Sequence, residues 1–243
     1  PFPRGWFAVA FSHEVPKAST KTLSYLGHTV VLTRDDAGEL QGSYFPGVYP
    51  QLVETHGTIL HFVGTESHWD GPCSESEGWS SPRCQRWFLD THPQEILENT
   101  VDTAHFRKVH DYESLEIIQP IHFDGPIMRA MFEVTRVEGL LGKWDRREIQ
   151  MQLDIEASGL GYSKVEIHIP QLALQVRQVV MPTPVMEGGV ELRAEVLLSA
   201  SIGASYVINL SIKPALGYPW RLCKGNVEAN LENLRMCEEP PSV

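Results

Sequence analysis

The sequence predicts an α+β protein in which a small β-rich lobe precedes a larger domain built as a curved antiparallel sheet wrapped around a helix. Three observations predict this fold. Short apolar segments separated by turn residues fill residues 1–65. One clear helical segment follows, from Pro93 to about His110. Strand-like segments then succeed one another at regular spacing, and the tail from Trp220 to Cys237 is again helical in pattern.

Size and charge exclude several classes of function. The chain has 243 residues, of which 42% are hydrophobic and 21% charged, enough for one large domain or for a medium and a small one. Its formal net charge of -11 argues against nucleic acid or an anionic membrane as the partner. The sequence contains no apolar run of about 18 residues and no export signal at its start, so we expect no membrane insertion.

The four cysteines are Cys73, Cys84, Cys223 and Cys237. They form no C-x-x-C or C-x-H motif, and in a chain without an export signal they indicate reduced thiols and a cytoplasmic location. Cys73 and Cys84 flank a polar loop and could pair or bind a metal. Two free thiols are the favoured interpretation.

The first 65 residues are predicted to be all β. Gly27 separates two short strands, and Asp35–Gly38 forms a strong turn signal. The dipeptide His56–Gly57 lies between two apolar segments and predicts a hairpin. The predicted strands are Trp6–Phe11, a pair within Leu23–Arg34, Leu52–Thr55 and Thr58–Val63. Residues 66–85 are polar and aperiodic and predict a loop or linker.

The central helix has a well-defined predicted start. Thr91 or His92 can cap it, Pro93 suits its first position and Glu95 lies where the helix dipole favours an acid. Antiparallel strands are predicted after it, with turns at glycines. These strands are Met128–Val137, Arg147–Ile155, Lys164–Ile169, Ala173–Val180, Val190–Leu198 and Tyr206–Ile212.

A group of acidic and imidazole side chains on the central helix carries the chemistry. In a straight helix, Glu98, Asp102 and His105 share one narrow face, since each residue turns by roughly 100°. His110 lies off that face and can join it only if the helix ends or widens there. Two imidazoles plus one carboxylate, with open positions, is the arrangement that holds non-haem Fe(II) for dioxygen chemistry. Asp102 could accept the second ring N–H of a ligating histidine.

An H-x4-H pair alone is a weak indicator of metal binding, but Glu98-x3-Asp102-x2-His105-x4-His110 is specific. It resembles the mononuclear iron motif of the Rieske oxygenase α-subunits, and His92–Asn99 and Ala104–Phe106 resemble their 3-ketosteroid 9α-hydroxylase and cholesterol-desaturase-like branch. The resemblance extends over most of the chain. Trp6–Phe11, Leu26–Arg34 and Tyr49–Ile59 resemble the family's Rieske domain, and Val227–Leu231 resembles its last helix.

The resemblance implies a domain division and a ligand set. Residues 1–65 would be the remnant of a Rieske-like β lobe, and residues 66–243 a helix-grip (START-like) catalytic domain. His105 and His110 would bind a mononuclear Fe(II), the position of Asn230 would supply the third ligand, and Asp102 would bridge to a cluster of a neighbouring subunit. The expected partners are dioxygen, a hydrophobic and steroid-like substrate, a reductase or ferredoxin as electron donor, and two further copies of the chain in a homotrimer.

Two departures from the family pattern change these expectations. The family binds a [2Fe–2S] cluster with two Cys and two His, whereas residues 35–48 contain neither. The cluster segment is therefore either lost or missing from the printed sequence between Gly42 and Ser43. The family's third iron ligand is an aspartate, and this chain has Asn230 there, with Glu228 and Glu232 as nearby alternatives. Without a cluster, Asp102 is best interpreted as a group that orients His105.

Three hypotheses of function follow. The first is a Rieske-type oxygenase that hydroxylates or desaturates a hydrophobic substrate. The second is a cluster-less relative that uses its metal in a non-redox reaction. The third is a ligand-binding protein on a degenerate scaffold. Core packing alone explains most of the apolar strand residues, and if the family's sheet forms, some of them would line an apolar cavity beside the iron. These residues are Ile127, Met128, Met131, Phe132, Met151, Leu153, Ile167, Ile169, Leu172, Leu174 and Met181.

Overall fold

The computed structural model describes residues 3–44, 51–64, 72, 77–139, 146–185 and 189–200. These residues form thirteen strands and two α-helices. The strands are β1 (Gly5–Phe11), β2 (Ser19–Tyr25), β3 (His28–Arg34), β4 (Leu40–Tyr44), β5 (Leu52–Thr55), β6 (Thr58–Val63), β7 (Arg83–Leu89), β8 (Ser114–Asp124), β9 (Ile127–Gly139), β10 (Arg146–Ser158), β11 (Tyr162–Ile169), β12 (Leu174–Pro184) and β13 (Val190–Ala200). The helices are α1 (Pro93–Glu98) and α2 (Thr103–Val109).

The first six strands form two small antiparallel sheets, in the orders β1-β6-β5 and β2-β3-β4. Their hairpins turn where the sequence predicts. Leu26 and Gly27 have φ of 47° and 77°, and His56 and Gly57 have φ of 51° and 106°. Two successive positive φ angles match the twist of the flanking strands and produce tight hairpins. The predicted Asp35–Gly38 turn also forms, with Gly38 N donating to Asp35 O over 3.1 Å.

Strands β7 to β13 form one seven-stranded antiparallel sheet in the order β7-β13-β12-β11-β10-β9-β8. The predicted strands between Met128 and Leu198 are confirmed, and each is longer than predicted or shifted by a residue or more. The predicted loop over residues 66–85 is wrong at its end, because β7 starts at Arg83 and pairs with β13. The sheet has the two edge strands β7 and β8.

The two faces of this sheet pack against different parts of the chain, because side chains alternate along each strand. One face is apolar and packs against the helices, with Phe106 of α2 against Phe132, Leu153 and Val176. The opposite face packs against the first sheet, where Trp6 and Phe62 contact Tyr162, Val179 and Met181. Met181, a predicted cavity residue, therefore lies on the face away from the helices.

The single helix predicted from Pro93 to His110 is wrong, since α1 ends at Glu98 and α2 starts at Thr103. The start of α1 is as predicted: Pro93 is its first residue, and Nδ1 of His92 accepts the N–H of Gln94 over 3.2 Å. Side chains of the break take backbone partners of their own. Thr100 Oγ1 donates to the carbonyl of Leu97 over 2.6 Å. Such local bonds compete with helical ones, which explains the interruption.

Several predicted features lie outside the described residues. They are the strand Tyr206–Ile212, the helix Trp220–Cys237, Cys73, Cys223, Cys237 and Asn230. Cys84 is described and is a free thiol, as predicted. Within the described ranges, no helix combines the length and apolar character needed to cross a membrane.

Candidate metal centre

The rings of His105 and His110 lie side by side in the interior of the protein. Their side chains belong to residues that are 5% and 7% exposed. The two ring centroids are 4.9 Å apart, with ring planes inclined by 80°. Two histidines five positions apart point in different directions on a regular helix, so the backbone must change course between them.

The end of α2 brings His110 to His105. The helix stops at Val109, and His110 is its C-cap with φ of -100° and ψ of 2°. Asp111 then takes a left-handed conformation with φ of 53°, which aspartate tolerates better than most residues. Of the two routes that the sequence leaves open, an ended helix or a widened turn, the protein uses the ended helix.

Aromatic packing holds this pair against the sheet. Phe106 contacts Phe132 of β9 edge to face, with ring centroids 5.5 Å apart. Its ring also lies 6.2 Å from that of His110 and 6.1 Å from that of Tyr112. Tyr112, whose ring is 5.9 Å from His110, is not among the residues that the sequence motif singles out. Its position two residues after His110, on the strand side of the turn, is the signal that could have identified it.

The two imidazoles are direct neighbours in the interior, with ring centroids 4.9 Å apart. Neutral imidazole is a good ligand for Fe(II). The surrounding apolar side chains limit access of water and strengthen electrostatic interactions at the site.

Glu98 and Asp102 do not share a helical face with His105, and that part of the prediction is wrong because the helix is interrupted. Asp102 is the N-cap of α2, with Oδ1 accepting the N–H of Ala104 over 2.9 Å. Glu98 Oε1 accepts from Nε2 of Gln94 over 2.6 Å. Both acidic residues are exposed, so burial demands no cation for their carboxylates.

The described residues supply two of the three predicted ligands, and the third, Asn230, lies outside them together with Glu228 and Glu232. In the described part of the chain, no group of three or more His, Cys, Asp or Glu side chains could hold a metal ion. The cluster ligands of the family are expected within residues 35–48. Part of this segment forms β4, which pairs with β3 through Tyr44, and residues 45–50 lie outside the description.

Comparison with known proteins identifies the class. The family model of the 3-ketosteroid 9α-hydroxylase C-terminal domain matches residues 63–209, more than half of the chain. No curated protein matches in sequence. Among solved structures, the terminal oxygenase of carbazole 1,9a-dioxygenase from Nocardioides aromaticivorans IC177 is similar with a TM-score of 0.60 and 13% identity, covering 95% of this chain and 84% of that one.

A second similar structure is dicamba monooxygenase bound to dicamba, with a TM-score of 0.60 and 13% identity, covering 98% of this chain and 91% of that one. A third is the reduced complex between oxygenase and ferredoxin in carbazole 1,9a-dioxygenase, with a TM-score of 0.55, 13% identity and coverage of 95% and 80%. The fold is thus that of Rieske-type terminal oxygenases. The chain belongs to the 3-ketosteroid 9α-hydroxylase C-terminal domain family and is an oxygenase of this type.

Proposed function

We propose that this oxygenase holds a mononuclear Fe(II) through His105 and His110 and uses dioxygen to hydroxylate or desaturate a hydrophobic, steroid-like substrate. The observation that carries the proposal is the adjacency of two buried imidazoles, 4.9 Å apart, beside the apolar face of the seven-stranded sheet. Family membership supports the reaction type. When bound, the iron would supply the redox chemistry that activates dioxygen.

The chain's own residues would orient the reactants and exclude water. Phe106 and Tyr112 would hold the imidazole of His110, since both rings pack against it. The helix-facing side of the sheet carries a buried apolar cluster that includes Met151, Leu153 and Ile167. A substrate bound beside this cluster would be mostly hydrocarbon, since the cluster has few polar groups to orient one.

Asn230 would complete the ligand set through its amide oxygen. An amide ligand leaves the site with one negative charge fewer than an aspartate would, so we expect weaker binding of Fe(II) than in a site with a carboxylate. Substitution at this one position therefore tests the ligand assignment without altering the two histidines.

Electrons would reach the site from a protein partner. The carbazole 1,9a-dioxygenase oxygenase forms a complex with ferredoxin, and we propose a ferredoxin or reductase donor for this chain as well. Asp102 lies on the outside of α2 as its N-cap, a position suited to face a neighbouring subunit in the proposed homotrimer. A [2Fe–2S] cluster would take part if the full protein contains ligands beyond the printed sequence. We further propose a cytoplasmic location.

The test is oxygen incorporation with matched variants. Protein loaded anaerobically with Fe(II) is supplied with a chemical reductant, 18O2 and a 3-ketosteroid, and products are analysed by mass spectrometry. We expect one 18O atom in a hydroxylated product, and loss of at least about a hundredfold in rate for His105→Ala and His110→Ala. His122→Ala, at an exposed histidine of β8, is the control and should retain full activity.

Two results would contradict the proposal. Unchanged turnover in His105→Ala would remove the metal site from the reaction. Bound iron combined with turnover that needs no dioxygen would favour the non-redox hypothesis.

A further inference from the structure

Two buried polar side chains of the seven-stranded sheet form hydrogen bonds with the turn between β5 and β6. Nε2 of His56 lies 3.1 Å from Nη1 of Arg177 on β12. On the other side of Gly57, the hydroxyl of Thr58 donates to Oε1 of Glu195 on β13. These two hydrogen bonds join the first sheet to the seven-stranded sheet at one point.

His56 and Glu195, which each take part in one of these hydrogen bonds, are both neutral when the turn is in place. An arginine has only donors, so Nε2 of His56 must accept, which requires a neutral ring. Burial, reinforced by the charge of Arg177, lowers the pKa of His56 to about 4, with Lys164 lowering it further and Glu166 raising it. Glu195 is 1% exposed, and burial raises the pKa of its carboxyl to about 8, although Thr58 and Cys84 lower it by hydrogen bonding.

The charged groups near Glu195 form ion pairs, ring contacts or hydrogen bonds with other residues. Arg177 lies 2.7 Å from Glu166 and stacks on Trp79. Arg193, two residues away on β13, donates to the carbonyls of Ala8 and Val9.

On β7, Cys84 Sγ donates to Glu195 Oε1 over 3.9 Å. Arg86 pairs with Glu14 and Glu191. Among the described ion pairs, none brings a lysine or arginine to Glu195, so an ionised Glu195 would lack a cation there.

The turn leaves little room for water. Gly57 has φ of 106°, and a Cβ at this position would lie 2.8 Å from Cγ of Pro82 and 3.7 Å from Oε1 of Glu195. An ionised carboxylate without a cation must gain water or pay a large desolvation cost. Here it can gain water only if the turn moves away from Pro82 and the sheet.

We propose that Glu195 is a proton-operated latch between the two sheets: its neutral carboxyl holds the β5–β6 turn in place, and loss of its proton to solvent releases the turn. The latch acts on the face of the sheet opposite to the helices and the candidate iron site. It would therefore make the attachment of the first sheet depend on pH, independently of the proposed metal ligands.

Hydrogen exchange measured by mass spectrometry tests the latch. Peptides that cover residues 52–64 are followed in the full chain from pH 5 to 9.5, with rates corrected for the pH dependence of intrinsic exchange. Because the pKa of Glu195 is about 8 in the folded chain and ordinarily 4.5, we expect protection to fall by up to about tenfold per pH unit between these two values and to level off above about pH 8. Glu195→Gln, which cannot ionise, should keep its protection throughout. Glu148→Gln, at an exposed carboxylate of β10, should behave like the wild type.

Thr58→Val is a second test. The Thr58 hydroxyl favours the charged carboxylate, so its removal should extend the pH-dependent fall to higher pH. Because the variant also loses the hydrogen bond to Glu195, its protection should be lower than that of the wild type at every pH. Constant protection of the wild-type turn up to pH 9.5 would overturn the latch, and so would a parallel fall in Glu195→Gln. If Glu195→Gln does not fold, the wild-type curve and the direction of the Thr58→Val shift decide the question.

Discussion

Phe106 is the side chain on which the position of the histidine pair depends most. It is 5% exposed and packs against Phe132, His110 and Tyr112 at centroid distances of 5.5, 6.2 and 6.1 Å. Truncation of a buried phenylalanine to alanine costs about 3–5 kcal/mol in total, which includes the transfer free energy of the ring, the cavity and the lost aromatic contacts. We therefore expect Phe106→Ala to lower the free energy of unfolding by about 4 kcal/mol.

The assay is urea unfolding followed by tryptophan fluorescence, with the variant compared to the wild type at 25 °C. Phe88→Ala is the matched control, because Phe88 is 66% exposed and its truncation should change stability by at most about 0.5 kcal/mol. Iron affinity, measured by competition with a chelator, should also fall in Phe106→Ala, since His110 loses the ring that supports it.

Two outcomes would refute this reasoning. A loss below about 1 kcal/mol, close to that of Phe88→Ala, would show that Phe106 is not part of a packed core. A large loss of stability with unchanged iron affinity in the folded variant would show that the packing of Phe106 does not position His110.

The remaining predictions concern the cap, the third ligand and the buried acid. Asp102→Ala should lower stability by about 1 kcal/mol, whereas Asp102→Asn, which can still cap α2, should not; equal thermal stabilities would contradict the cap. Asn230→Asp should raise iron affinity about tenfold in chelator competition, and unchanged affinity would remove Asn230 from the ligand set. Folded Glu195 has a pKa of about 8 against an ordinary value of 4.5. Its contribution to stability should therefore be lost as pH rises across this window, by up to about 1.4 kcal/mol per pH unit. Chemical unfolding of Glu195→Gln should lack this slope, and an unchanged slope would contradict the buried neutral acid.

The hairpins and sheet strands were predictable because their signals are local. Gly27 and Gly57 take the positive φ that a two-residue hairpin turn needs. Alternation of apolar and polar residues predicts strands such as β9 and β10. Strand β7 was not predictable in the same way, because its start at Arg83 follows a polar segment and it is specified by pairing with β13.

The histidine pair was predictable from its motif, but its geometry was not. Periodicity places Glu98, Asp102 and His105 on one face only if the helix is continuous. The break depends on side-chain bonds at Thr100 and Asp102, which compete with the helix by small energies that a periodic pattern does not report. The contacts of Glu195 escaped prediction for a different reason, since Thr58 is 137 residues away in sequence.

Iron stoichiometry tests the central claim most directly. The protein is incubated anaerobically with Fe(II), freed of unbound metal and analysed for iron, alongside His105→Ala, His110→Ala and the exposed-site control His122→Ala. We predict one iron per chain for the wild type and for His122→Ala, and no retained iron for the two α2 variants, each of which should remain folded by circular dichroism. Wild-type protein that retains no iron, or His105→Ala that retains as much as the wild type, would contradict an iron site on α2.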